Sequence, residues 1–99
     1  MILEHALITV LPDAHEEFRT AVTRAREVIS AAPGFRSFAL HRGIESPDRY
    51  LLLVGWETLE AHTVGFREST AFAEWRAHIG PYFDGAPEVD HYDPVPGLS

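Results

Sequence analysis

The residues best able to do chemistry lie together, between positions 49 and 83: RYLLLVGWETLEAHTVGFRESTAFAEWRAHIGPYF. His62 is a candidate general base, because imidazole titrates near neutrality; its plainer role is a surface or helix-cap histidine. Trp56 could wall a pocket and donate its indole N–H, or simply fill core. Phe66, Phe72, Trp75, Ile79 and Phe83 form an aromatic-rich stripe at helical spacing, which makes either a core or a binding wall. The other candidates carry less. His5, His41 and His91 fall on strand segments near Asp90 and Asp93, but without the spacing of a metal site. Glu57 and Glu60 fit a solvated helix start, where acidic side chains favour the dipole. Ser69 has neither a base nor an oxyanion partner in view, so nucleophilic catalysis has no support.

The elements that must position these residues follow from pattern and punctuation. Residues 2–11 are β-rich and apolar, and Pro12 ends them. Asp13 is the expected N-cap of a first helix, with Glu16 completing a capping-box-like pattern. Phe18, Val22, Ala25, Ile29 and Ala32 form its buried stripe, and Pro33-Gly34 stops it. Residues 35–44 and 49–56 read as an antiparallel hairpin around the turn Glu45-Ser46-Pro47-Asp48. Thr58 can cap a short helix through about Phe66, and Ser69 or Thr70 a second one. Gly80-Pro81 and Gly85-Ala86-Pro87 break the chain before a last strand over 88–95, leaving a short tail over 96–99. The order βαββαβ predicts an α+β ferredoxin-like domain over residues 1–99, a four-stranded antiparallel sheet with both helices on one face.

Strand parity adds a partner. In the third strand Tyr50, Leu52, Val54 and Trp56 share one face, while Leu51, Leu53 and Gly55 share the other. In the first strand Leu3 and Leu7 oppose Ile8 and Val10. Helices can cover only one side of the sheet, so the other should be polar, and it is not. An apolar patch of that kind is rarely left wet. Burying three Leu-sized side chains contributes roughly 5–9 kcal/mol before entropic costs. A homodimer joined sheet to sheet is the expectation.

Composition bounds the rest. Ninety-nine residues with 45% hydrophobic content suit one modest core. A net charge of −7 and eight scattered Arg with no basic patch argue against nucleic acid and anionic membrane surfaces. Cysteine is absent, which removes disulfides and thiolate chemistry. With no long apolar run and no signal-peptide stretch, a cytoplasmic protein is expected.

Taken together, several segments resemble the antibiotic biosynthesis monooxygenase family of the dimeric α/β-barrel superfamily. They are Val10-Leu11-Pro12, Pro33-Gly34-Phe35, Trp56-Glu57, Glu60-Ala61-His62, Ser69 with Phe72 and Trp75, and Val89-Asp90-His91-Tyr92. The resemblance implies a homodimer with a ligand held between sheet and helices. It also implies cofactor-free oxygenation of a phenol, quinol or polyketide-like molecule by O₂. Trp56 and His62 would then be the catalytic pair, and Leu52, Phe66, Phe72, Trp75, Ile79, Tyr82 and Phe83 the substrate-binding wall, with no metal or other cofactor. Two departures stand out. The anthrone oxygenases of the family have an Asn where this chain has Leu52, and a Tyr where it has His62. The haem-degrading members need an Asn, a Trp and a His at positions falling near His5, Gly65 and Trp75, and none matches. Two other functions fit the same fold: a non-catalytic dimer that binds a small apolar molecule or serves a stress response, and a lyase or isomerase.

Overall fold

The computed structural model describes residues 1–99. Four strands, β1 (Ile2–Thr9), β2 (Phe35–Arg42), β3 (Arg49–Trp56) and β4 (Glu88–Tyr92), form an antiparallel sheet in the order β2-β3-β1-β4. Helices α1 (His15–Ser30) and α2 (Thr70–Ile79) pack on one face. This is the ferredoxin-like arrangement expected from the element order.

Parity decides which side chains meet the helices. On β1 Glu4, Ala6 and Ile8 point inward, as do Tyr50, Leu52, Val54 and Trp56 on β3, and all seven are buried. The α1 stripe that meets them is Phe18, Ala21, Val22, Ala25 and Ile29. Leu3, His5, Leu7, Leu51 and Leu53 lie on the opposite face, where Leu7 is 37% exposed.

Several ends differ from expectation. β1, β2 and β4 stop at Thr9, Arg42 and Tyr92, two or three residues short of the apolar runs. The sequence after each turns away, and Pro94 has no N–H to extend β4. Asp13 does not cap α1. The N-cap is Ala14, with no side-chain bond, because Leu11 and Ala14 close a turn whose N–H···O distance is 3.0 Å. Thr58 does cap, its Oγ1 accepting the Ala61 N–H at 3.1 Å. The helix it starts is a wide π turn over Ala61–Phe66, in which the Arg67 N–H donates to His62 O at 2.9 Å, five residues back. Such turns are uncommon and gather at functional sites. Ser69 stands at the N-cap of α2, but its hydroxyl donates to Phe66 O at 2.6 Å instead of capping.

Two contacts lock this frame. Gly34 has φ +85°, and a β-carbon there would come within 2.6 Å of Ala61 Cβ. Only glycine allows β2 to begin so close to the π turn. At the other end His15 Nε2 donates to Asp48 Oδ1 at 2.7 Å, so its Nδ1 accepts from the Tyr50 hydroxyl, also at 2.7 Å. This chain ties the hairpin turn to the start of α1. His15→Ala leaves the buried Tyr50 hydroxyl without a partner and is expected to cost about 2 kcal/mol. Urea unfolding at neutral pH measures it.

Candidate functional site

A cavity of about 340 Å³ opens between the sheet and α2. Its walls are apolar: Ala6, Ile8 and Leu52 from the sheet, Ile29 from α1, Phe66 from the π turn, and Phe72, Trp75 and Ile79 from α2. Phe83, Ala86, Pro87 and Val89 close the side next to β4. Phe66 meets Phe72 and Trp75 edge to face, at 5.7 and 6.3 Å between ring centroids.

Glu4 and His62 are the acid–base groups in this lining, 6% and 3% exposed. Their positions follow from the fold. Glu4 sits at an inward position of β1, directly opposite His91 on β4. The π turn brings His62 over the same spot. His62 Nε2 lies 3.3 Å from Glu4 Oε1, and its Nδ1 is hydrogen-bonded to His91 Nε2 at 2.7 Å. Trp56 Nε1–H donates to the same Glu4 oxygen at 2.9 Å, and its indole stacks on the His62 ring at 5.2 Å and 15°. Glu4, His62 and His91 therefore form a chain running from the cavity toward the half-buried β4 edge.

The electrostatics of the chain are set by burial. Desolvation raises the Glu4 pKa above its ordinary value, against the Trp56 N–H and the Arg67 charge, which both favour the carboxylate. Desolvation, helped by Arg67 and His91, lowers His62 to about 4. His91 is lowered by burial and Arg67, with Asp90 opposing. At neutral pH His62 is thus uncharged. With Glu4 ionised, one proton arrangement satisfies every contact: His91 Nε2–H donates to His62 Nδ1, and His62 presents Nε2–H to Glu4. Both N–H bonds then point toward Glu4, so carrying a proton outward first requires both imidazoles to change tautomer, leaving His62 Nε2 and His91 Nε2 free to accept. Glu4 Oε2 has no protein partner, yet no buried polar side-chain atom is left unsatisfied. That oxygen therefore opens onto accessible space, and the cavity that Glu4 lines supplies it.

Of the residues singled out from sequence, His62, Leu52, Phe66, Phe72, Trp75, Ile79 and Phe83 line this cavity. Trp56 does not. It is 0% exposed and stands behind His62, holding Glu4. Tyr82 does not line it either: the 3₁₀ turn Gly80–Tyr82 directs it to an open, polar groove beside Glu17 and Arg24 of α1. The strand histidines do not converge, since His91 faces the helices while His5 packs against Tyr92 on the other side at 4.3 Å. Glu57 pairs with Arg36 at 3.2 Å in solvent. Glu4 was the residue sequence reasoning missed. Its signal was a carboxylate in phase with Ala6, Ile8 and Val10.

This geometry can be set beside known proteins. A solved structure from Bordetella bronchiseptica, named provisionally as an antibiotic biosynthesis monooxygenase, has a TM-score of 0.92 and 44% identity. The match covers 95% of this chain and 96% of that one. YczJ of Bacillus subtilis strain 168, an uncharacterised protein, is 37% identical over 96% of this chain and 100% of its own length. SnoaB from Streptomyces nogalater, a cofactor-independent oxygenase, shares the fold at a TM-score of 0.80 and 16% identity, covering 98% and 95% of the two chains. The family model for antibiotic biosynthesis monooxygenases matches residues 1–78. This chain belongs to the antibiotic biosynthesis monooxygenase family.

Proposed function

We propose that the protein is a cofactor-independent monooxygenase of a small aromatic molecule, a phenol, quinol or polyketide-like compound, using O₂. The observation that carries this is the Glu4–His62–His91 chain at one end of an aromatic-walled cavity. Oxygenation without metal or flavin needs an electron-rich substrate that has lost a proton, held in a dry site. Burial makes Glu4 a stronger base than an ordinary carboxylate. It takes the proton through Oε2, and His62 and His91 pass it on toward solvent. Trp56 acts on the reaction through Glu4 and His62, as a positioning residue.

The substrate carbanion then gives one electron to O₂, and the radical pair recombines to form a C–O bond. Protonation yields a hydroperoxide, whose O–O bond breaks with loss of water. The CH₂ group of an anthrone-type substrate becomes C=O, a phenol becomes a quinone and a quinol a hydroxyquinone; in each case one oxygen atom enters the product and the other leaves as water, so the four electrons balance. A neutral His62 beside the cavity suits this sequence, because a fixed positive charge there would lower the basicity of Glu4. The test is oxygen uptake with a panel of quinols and anthrones. Uptake should depend on His62; a His62→Ala protein with full turnover defeats the assignment, and ligand binding without O₂ consumption favours a non-catalytic binding protein.

We also propose that the working unit is a homodimer joined through the outer sheet face. Leu3, Leu7, Leu51 and Leu53, with Ala39 beside them, present apolar surface that the helices do not cover. A second copy of the same sheet is the self-complementary partner for such a face. Sedimentation should give a dimer at micromolar concentration and a monomer for Leu53→Arg. A wild-type monomer would remove the proposal while leaving the site chemistry intact.

A further inference from the structure

The ionisable side chains of the cavity lining sit at two depths. Glu4 and His62 are buried, whereas the two arginines of the lining, Arg67 and Arg76, are exposed. Neither guanidinium is paired with a carboxylate, since the ion pairs of the structure are His15–Asp48, Arg36–Glu57 and His62–Glu4. Arg76 lies instead over the Phe83 ring, 5.5 Å from its centroid, which holds its charge against the cavity wall. Arg67 follows the π turn directly, and its field reaches Glu4, His62 and His91. In a chain of net charge −7, two unneutralised cations flank one apolar cavity whose buried lining carries a carboxylate.

We infer that the ligand is an aromatic acid whose anionic group is held between Arg67 and Arg76 at the cavity mouth, while its apolar body points inward toward Glu4. The inference rests on the cavity being the substrate site, and it deepens that reading by naming the substrate class. Like charge at the buried end disfavours the reversed pose, because a carboxylate beside Glu4 would be repelled and desolvated. The mouth pays little for desolvation, since its cations remain partly hydrated. Guanidinium also suits a carboxylate better than ammonium does, by offering paired donors in one plane. The acidic C–H or O–H of the ligand then lies at the far end of its ring system from the anion, where Oε2 of Glu4 can reach it.

The experiment is calorimetric titration of the wild-type protein with 6-hydroxy-2-naphthoate, whose hydroxyl lies at the opposite end of the rings from its carboxylate, and with its methyl ester at low ionic strength. The acid should bind about tenfold or more tightly than the ester. The doubly substituted Arg67→Gln/Arg76→Gln protein should lose that preference while binding the ester as before. Both arginines are exposed, so the substitution leaves the core untouched, and the Arg67→Lys/Arg76→Lys protein should restore part of the preference. Equal binding of acid and ester, or an acid preference that survives in the double Gln variant, overturns the inference, and so does failure of both to bind. Arginine-dependent binding without oxygen uptake by any bound aromatic acid leaves the inference standing and removes the oxygenase reading.

Discussion

Glu4→Gln is expected to cut oxygen uptake by about a hundred- to ten-thousand-fold, the usual contribution of a positioned general base. The substitution is close to isosteric, and the Gln side-chain oxygen can still accept the Trp56 N–H. Packing around the site should therefore survive, and aromatic binding followed by tryptophan fluorescence should change little. Loss of rate with retained binding separates proton transfer from cavity shape. The pH profile makes the same point independently. Because burial raises the Glu4 pKa, the rate should climb with pH along a limb displaced upward from the ordinary carboxylate range. Trp56→Phe removes a donor that favours the ionised form, so that limb should move to still higher pH. Full turnover in Glu4→Gln would mean that the buried carboxylate is structural and that His62 or another group takes the proton.

The second large effect is on stability. His62 titrates at 6.5 when unfolded and at about 4 in the folded protein. Between these values the unfolded chain binds a proton that the folded one does not, so stability rises with pH across that window. The stabilisation is complete above 6.5 and is lost as the pH falls through about 4. The gap corresponds to about 3 kcal/mol. Glu4 works in the opposite sense, because its folded pKa is raised and the native state holds its proton more readily. Stability through its window falls as pH increases, which trims the His62 slope. Urea titrations at pH 7 and pH 4.5 should show weaker folding in acid, and His62→Gln should flatten most of the difference. An unchanged slope in that variant would assign the acid sensitivity elsewhere.

Much of this was legible in the residues. The alternation Tyr50, Leu52, Val54, Trp56 identifies the helix-facing side of β3, and those four are buried. Thr58 advertises the turn that it caps. The acid–base chain was not legible in the same way, because it depends on strand register. Nothing local to Glu4 reveals that it pairs with His91; the two are separated by nearly the whole chain. Glu4 looks like an interruption in an apolar segment until its phase with Ala6 and Ile8 is counted. Trp56 stayed open between pocket wall and core for a related reason. A large aromatic at a strand end fits a pocket wall, but parity sends its ring beneath His62, where the carboxylate takes its only donor. Tyr82 was lost to the 3₁₀ turn at Pro81, which rotates the chain after α2.

The close approach of Gly34 to Ala61 bears on how the family could diversify. Any side chain added at that seam pries the π turn from the hairpin and drags the imidazole off its mark, so drift there is penalised at once. Phe72 is under no such restraint, because it is only half-buried where α2 walls the cavity. Specificity can wander through that ceiling while the proton-handling floor stays riveted, and laboratory evolution of new substrates should accumulate its changes above and almost none below.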